Sequence, residues 1–142
     1  MFRDLAARDM LKKLLADLSL VKLDGVAATL TKHVETGALR AVNNSTVGTS
    51  KLLHFFFPEK VPIWDSVLGK SFGLVHDYEW SREDRFIKYV QEVHAAVQLE
   101  RMPWAAMNFA DCPGFEASKV RKIEFTLYAF ARRNRHALAA RA

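Results

Sequence analysis

Two charged residues bracket an apolar segment, and their types could support covalent chemistry. In SKLLHFFFPEKVPIWDS, residues 50–66, Lys51 stands at the start and Asp65 near the end. A lysine amine whose pKa is lowered by desolvation is a nucleophile that can form an imine or attack a sugar carbon. A carboxylate can activate that nucleophile or stabilise an oxocarbenium-like charge. The spacing therefore permits a nucleophile and its carboxylate partner.

The same two residues have simpler structural interpretations, which the spacing alone favours. Lys51 can pack its aliphatic stem and keep its ammonium in water. Asp65 can cap the N-terminus of a following helix, where the helix dipole favours a negative charge. The two roles of Asp65 are compatible, because a cap fixes the direction of the carboxylate.

Helices are the elements expected to position both residues. The run LLHFFF is apolar on every side, which predicts a central helix that ends at Pro58. Pro62 predicts an extended approach to a short helix over residues 66–72, with Asp65 at its N-terminus. The tripeptide NNS at 43–45, just upstream, predicts a turn or an N-cap.

Helical periodicity extends along the rest of the chain, and no segment alternates as a strand would. Further helices are predicted around Leu11–Leu18, over 26–39 with a weak end at Gly37, from a Ser81 capping box to Met102, and from about Glu116 to Arg133. The sequence therefore predicts one all-α domain of about six helices that spans residues 1–142.

Composition makes an anionic partner plausible and disfavours several other classes of protein. The 142 residues carry a net charge of +5 and the pI is about 9.5, so DNA is a plausible partner. Cys112 is the single cysteine, and no histidine has metal-ligand spacing, so neither a metal nor a cofactor is expected. No apolar run reaches about 18 residues and the start lacks a signal-peptide layout, so we expect a cytoplasmic protein that does not span a membrane.

Aromatic, histidine and arginine residues offer weaker signals. Trp64, Trp80 and Trp104 could stack on a nucleotide base, although core packing is the commoner use of tryptophan. His54 is most simply a core histidine with one nitrogen hydrogen-bonded. The arginines of ARRNRH, residues 131–136, could bind phosphate or form a solvated helix face.

The bracketed segment also carries a longer pattern, S-K-L-L-H-F-x-x-P-x-x-x-P-I-W-D-S. Its residues are Ser50, Lys51, Leu52, Leu53, His54, Phe55, Pro58, Pro62, Ile63, Trp64, Asp65 and Ser66. The pattern resembles a family of bacterial proteins similar to 8-oxoguanine DNA glycosylases, within the helix-hairpin-helix glycosylase superfamily. The segment RKIEFTLYAFAR, residues 121–132, is similar to the final helix of such proteins.

The resemblance implies base-excision repair of an oxidised purine such as 8-oxoguanine, with or without AP-lyase activity. It implies that Lys51 attacks the anomeric carbon of the sugar and that Asp65 assists. The target nucleotide would have to leave the base stack to be reached. The groups expected to hold the DNA backbone are Gly48, Thr49, Ser50, Arg121, Lys122 and Arg132.

Two other functions stay open at this point. The sequence VGTSK has one glycine where the family's usual hairpin reads Gly-x-Gly-x-Lys, which keeps a non-catalytic DNA-binding protein as an alternative. An all-α protein-interaction module with Lys51 on its surface is the other. The glycosylase requires Lys51 and Asp65 to face one cleft, whereas the DNA-binding protein requires a continuous basic face and tolerates a filled cleft. The interaction module predicts that Lys51 points to bulk water and that there is no cleft. The lesion, the opposite base and the oligomeric state are not specified by the sequence.

Overall fold

The architecture is all-α. The structure is a computed structural model that describes residues 5–65, 67, 81–98 and 119–133, and no strand occurs in these ranges. Its α-helices are α1 (Leu5–Leu20), α2 (Val26–Lys32), α3 (Thr46–Phe56), α4 (Arg82–Gln98) and α5 (Lys119–Arg133), with 3-10 helices at Leu23–Gly25 and Ala38–Arg40. The predicted fold class is therefore confirmed. The predicted helix over 66–72 and the predicted helix end at Met102 lie outside the described residues, apart from Val67, and so do Trp80 and Trp104.

Helix α1 buries the stripe that its periodicity predicts. Leu11, Leu14 and Leu18 are buried in the core, and Leu15 packs at its edge. Residues three and four apart share one face of a helix, so these leucines form a single apolar side while the charged residues between them stay in water.

Helix α2 is shorter than predicted. It ends at Lys32, and the chain continues through turns to the 3-10 helix at Ala38–Arg40. The amide of His33 already bonds to the carbonyl of Leu30 three residues back, at 3.1 Å, which tightens the last turn. Gly37 then takes a left-handed conformation with φ of 80°, which a continuing helix cannot contain.

The prediction that LLHFFF forms a central helix is wrong in one respect. Helix α3 does form and ends just before Pro58 as predicted, but only its Leu53 is a fully buried apolar side chain. Phe55 is 77% exposed and Phe56 is 53% exposed, and their rings meet edge to face at 5.5 Å. The two rings project from the last turn, where the chain leaves the helix and no described element covers that side.

Helix α4 begins as the capping box predicts and supplies the largest share of the core. The Ser81 hydroxyl accepts the Asp84 amide at 3.1 Å. Phe86, Val90 and Val93 are buried on one face. Helix α5 packs against α4 through its own buried residues, Val120 and Ile123. The predicted start of this last helix, residues 116–118, lies outside the described residues.

The turn after α3 is fastened to distant parts of the chain through Lys60. Its ammonium donates to the last carbonyls of α1, reaching Leu18 at 2.8 Å. Its own carbonyl accepts Nε2–H of the buried His94 in α4 at 2.5 Å. These two bonds hold the start of the segment 61–65, which carries Asp65, against α1 and α4.

Candidate functional site

The N-terminal end of α3 is held by a tight turn that precedes it. Asn43 and Asn44 both have positive φ, 55° and 52°, and the Ser45 amide bonds to the Val42 carbonyl at 3.0 Å. This is the geometry of a type I′ turn, which asparagine tolerates better than most residues. The Ser45 side chain then accepts the Gly48 amide at 3.1 Å. The predicted turn and N-cap at residues 43–45 are therefore confirmed.

Gly48 and Thr49 join this turn to the helix. A Cβ at Gly48 would lie 3.1 Å from the Val42 carbonyl oxygen, so the close approach of the turn requires a small residue there. The Thr49 hydroxyl donates to the Ser45 carbonyl at 2.8 Å and accepts the Val42 amide at 3.1 Å. Thr49 is buried. Its side chain therefore shapes the turn, and any contribution of Thr49 to DNA binding is indirect.

Ser50 connects α3 to the segment that carries Asp65. Its side chain is 0% exposed. The hydroxyl donates to the Val47 carbonyl at 2.8 Å and accepts the backbone amide of Trp64 at 3.0 Å. Ser50 precedes Lys51 and Trp64 precedes Asp65, so the bond places the two predicted catalytic residues on adjoining segments.

Lys51 itself is exposed on the surface of α3. Asp65 is partly exposed, and its Oδ1 accepts the Val67 amide at 2.7 Å, as an N-cap does. This bond is the one that a cap at Asp65 would make, and the helix predicted over 66–72 lies outside the described residues apart from Val67. No ion pair joins Lys51 to Asp65, and within the described ranges Lys51 has no salt-bridge partner.

A buried carboxylate from α5 reaches the same segment. Glu124 is 4% exposed, its Oε2 accepts the Ile63 amide at 3.3 Å, and its Oε1 is bonded to Nη1 of Arg121. Burial raises the pKa of Glu124, while the Arg121 charge, the bond from the Ile63 amide and the His54 charge act in the opposite direction. The guanidinium of Arg121, predicted to bind DNA, is thus engaged with a buried acid inside the protein.

Trp64 and Tyr89 complete the surroundings of Asp65. Trp64 is buried, as the commoner interpretation predicts, and its ring lies 5.3 Å from that of Tyr89 in α4. Tyr89 is 3% exposed, and its hydroxyl has no hydrogen-bond partner among the described residues. Burial raises the pKa of Tyr89, and the negative charges of Glu124 and Asp65 raise it further.

The remaining predicted DNA-binding residues lie on α5. Arg132 is exposed, and its guanidinium donates to the Tyr128 hydroxyl at 3.1 Å. Lys122 is partly exposed. These two cations are accessible, whereas Thr49 and Ser50 are not.

Sequence reasoning identified His54 correctly and missed Glu124 and Tyr89. His54 is partly buried, and its Nδ1 donates to the Val61 carbonyl at 2.7 Å, so one nitrogen is satisfied as predicted. Glu124 was visible as the acid of RKIEF at a core-facing position beside Ile123, which is an unusual place for a charge. Tyr89 gave no comparable signal, since a tyrosine on a buried helix face is ordinary.

We also searched the described part of the chain for metal-binding groups and for pockets near the predicted catalytic residues. No group of three or more histidine, cysteine or acidic residues could hold a metal ion there. A shallow pocket of about 260 Å³ lies between α2 and α4, lined by Thr31, Asp84, Ile87, Lys88 and Gln91. It includes none of the predicted site residues. No helix within the described ranges is both long and apolar enough to cross a membrane.

Comparisons with known proteins identified no relative of this chain. No protein-family model, no curated protein and no solved structure matches the sequence or the fold.

Proposed function

We propose that this protein binds DNA and removes an oxidised purine such as 8-oxoguanine, with Lys51 as the nucleophile and Asp65 as its carboxylate partner. The bond between the Ser50 hydroxyl and the Trp64 amide, 3.0 Å long, carries the proposal. Residues 14 positions apart in sequence are brought to adjoining segments by it. The cap bond from the Val67 amide adds a fixed direction for the Asp65 carboxylate.

The chemistry assigns a separate task to each residue. A neutral lysine amine attacks C1′ of the target nucleotide, the bond from C1′ to the base breaks, and the base leaves with the electron pair and takes up a proton. The bond from C1′ to O4′ then breaks, its electron pair stays on O4′, and O4′ takes the proton that the amine loses. This opens the sugar ring and leaves a protonated imine between Nζ and C1′. A carboxylate beside C1′ stabilises the positive charge that develops on the sugar as the base departs. Loss of a proton from C2′ with departure of the 3′ phosphate would give the lyase reaction.

DNA binding in this proposal uses accessible groups on two helices. Gly48 lies in the first turn of α3, where the helix dipole favours a phosphate, and its own amide is already capped by the Ser45 side chain. Lys122 and Arg132 on α5 are accessible cations, and the net charge of +5 favours an anionic partner. A cytoplasmic location belongs to the same proposal.

Borohydride trapping tests the nucleophile. Duplex DNA with an abasic site or 8-oxoguanine is mixed with the protein and reduced, and covalent complexes are separated on a denaturing gel. The wild type and Lys13→Gln, which changes an exposed lysine of α1, should give the adduct, and Lys51→Gln should not. Circular dichroism of each variant shows whether the fold is kept. An adduct that persists in Lys51→Gln removes Lys51 from the mechanism, and no adduct with the wild type rejects the glycosylase mechanism proposed here.

A non-catalytic DNA-binding protein is the second candidate, and the surroundings of Lys51 are compatible with it as they are with an interaction module. Lys51 is exposed and makes no ion pair with Asp65. A lysine in that position is suited to contact a phosphate. This candidate predicts duplex binding without an adduct, and an affinity that falls steeply with salt concentration because counterions are released. Lys51→Gln should lower the slope of log K against log salt by about 1, whereas a flat salt response argues against DNA as the partner.

A further inference from the structure

The two amides before Asp65 are each bound by a side chain from a different helix. The Ile63 amide donates to Glu124 of α5 at 3.3 Å, and the Trp64 amide donates to Ser50 of α3 at 3.0 Å. Backbone amides of an extended segment normally find carbonyls or water. Here two successive amides are held by side chains that lie 61 and 14 positions away in the sequence.

A third contact holds the same segment from α4. The Trp64 ring lies against the Tyr89 ring at 5.3 Å with an interplanar angle of 51°. Tilted aromatic pairs of this kind stabilise a contact beyond the effect of the area that they bury. Contacts from three helices thus restrain the residues immediately before Asp65. The backbone of Asp65 is restrained as a result, while its side chain accepts the Val67 amide.

Stability alone does not account for a carboxylate at position 124. Glu124 is 4% exposed, and burial raises its pKa, which means that ionising it inside the protein is unfavourable. Replacing a whole buried ion pair by apolar side chains commonly gives an equally stable or more stable protein, so a buried pair such as Arg121 and Glu124 is weak evidence for a role in stability. What an apolar side chain cannot supply is the acceptor for the Ile63 amide and the partner of Arg121.

We propose that Glu124 is a positioning residue that orients Asp65 by binding the Ile63 amide two residues earlier. This inference rests on the proposed function, in which Asp65 acts at the sugar. Arg121 orients the Glu124 carboxylate from within α5, while Ser50 and Tyr89 restrain the intervening Trp64. The groups that set the charge of Glu124 are Arg121 on its own helix, His54 on α3 and the Ile63 amide, and Tyr89 on α4 faces it.

Amide hydrogen exchange tests the positioning without any assumption about activity. In Glu124→Leu the Ile63 and Val67 amides should exchange at least about ten-fold faster relative to the Val90 amide in the core of α4. Glu124→Gln keeps an oxygen acceptor and should change this ratio by less than about three-fold. Glu35→Gln, at an exposed position, is the control and should change nothing. Unchanged exchange at Val67 in Glu124→Leu overturns the inference, whether or not Ile63 changes.

Trapping kinetics supply the functional measurement. With abasic duplex DNA, Glu124→Leu should form the adduct at least about ten-fold more slowly in a single turnover, while the Kd for the same duplex stays within about two-fold. Glu124→Gln should recover most of the rate. An unaltered rate in Glu124→Leu, or a loss that Glu124→Gln does not restore, overturns the inference. If the wild type forms no adduct, the proposed function fails, and the exchange of the Val67 amide alone decides whether Glu124 positions Asp65.

Discussion

The substitution Ser50→Ala isolates the contact on which the candidate site depends. The buried hydroxyl of Ser50 donates to the carbonyl three residues back in its own helix and accepts the Trp64 amide. Alanine removes both bonds and leaves the Trp64 amide without its acceptor. Ser19→Ala is a matched control, because Ser19 makes the same kind of bond to the Ala16 carbonyl, at 2.6 Å, on an exposed part of α1.

The size of the effect follows from the difference between the two variants. Both lose a bond from serine to a helix carbonyl, and both gain the higher helix propensity of alanine. Ser19→Ala should therefore change the free energy of unfolding by no more than about 0.5 kcal/mol. Ser50→Ala should lose about 1–3 kcal/mol more, which is the usual cost of a buried amide that lacks a partner.

Urea unfolding followed by circular dichroism measures this difference, provided that the slope of free energy against urea is the same for each protein. A thermal melt should agree, with roughly 3–4 °C lost for each kcal/mol at this chain length. Ser50→Ala no less stable than Ser19→Ala would mean that the Trp64 amide does not depend on Ser50. Our reason for placing Lys51 and Asp65 on adjoining segments would then fail.

Three further predictions concern the elements around the site. Thr49→Val leaves the Val42 amide without its acceptor and should lower the free energy of unfolding by about 1–3 kcal/mol. Thr31→Val loses only an exposed bond to the Ala27 carbonyl and should lower it clearly less in the same urea titration. Lys60→Met removes the donor to the last turn of α1 and should cost about 0.5–1.5 kcal/mol, with Lys13→Met nearly neutral by comparison. Burial holds the pKa of His94 below its ordinary value of 6.5, against the pull of its backbone hydrogen bonds. The stability that neutral His94 contributes should be complete above pH 6.5 and should decline as the pH falls toward the lower pKa of the folded state. Between about pH 7.5 and about 5.5, the free energy of unfolding should therefore depend less on pH in His94→Asn than in the wild type.

Features set by neighbours in sequence were predictable. Contacts between residues two to seven positions apart set the leucine stripe of α1, the caps at Ser45 and Ser81, and the single bonded nitrogen of His54. The bond from the Val67 amide to Asp65 is equally local. Side-chain periodicity and capping chemistry act over that range.

Features set by distant contacts were not predictable. The apolar run of α3 looked central because its composition is apolar on all sides, yet burial depends on what packs against each side, and nothing described covers Phe55. The pairing of Glu124 with the Ile63 amide spans 61 positions, and no local pattern records it. The prediction that Arg121 binds DNA came from its charge and from the resemblance of residues 121–132 to a helix of the family. Neither shows whether a cation already has a partner inside the protein.

The four residues from Pro62 to Asp65 differ in the hydrogen bonds that each of them can donate or accept. Proline has no amide hydrogen to offer, the next two residues each give one to a side chain, and aspartate receives one from Val67. A proline is therefore tolerated at 62 and should be excluded from 63 and 64 in any related chain. Such chains should also keep an oxygen-bearing side chain at position 50 for the amide of residue 64, and another at position 124 for the amide of residue 63.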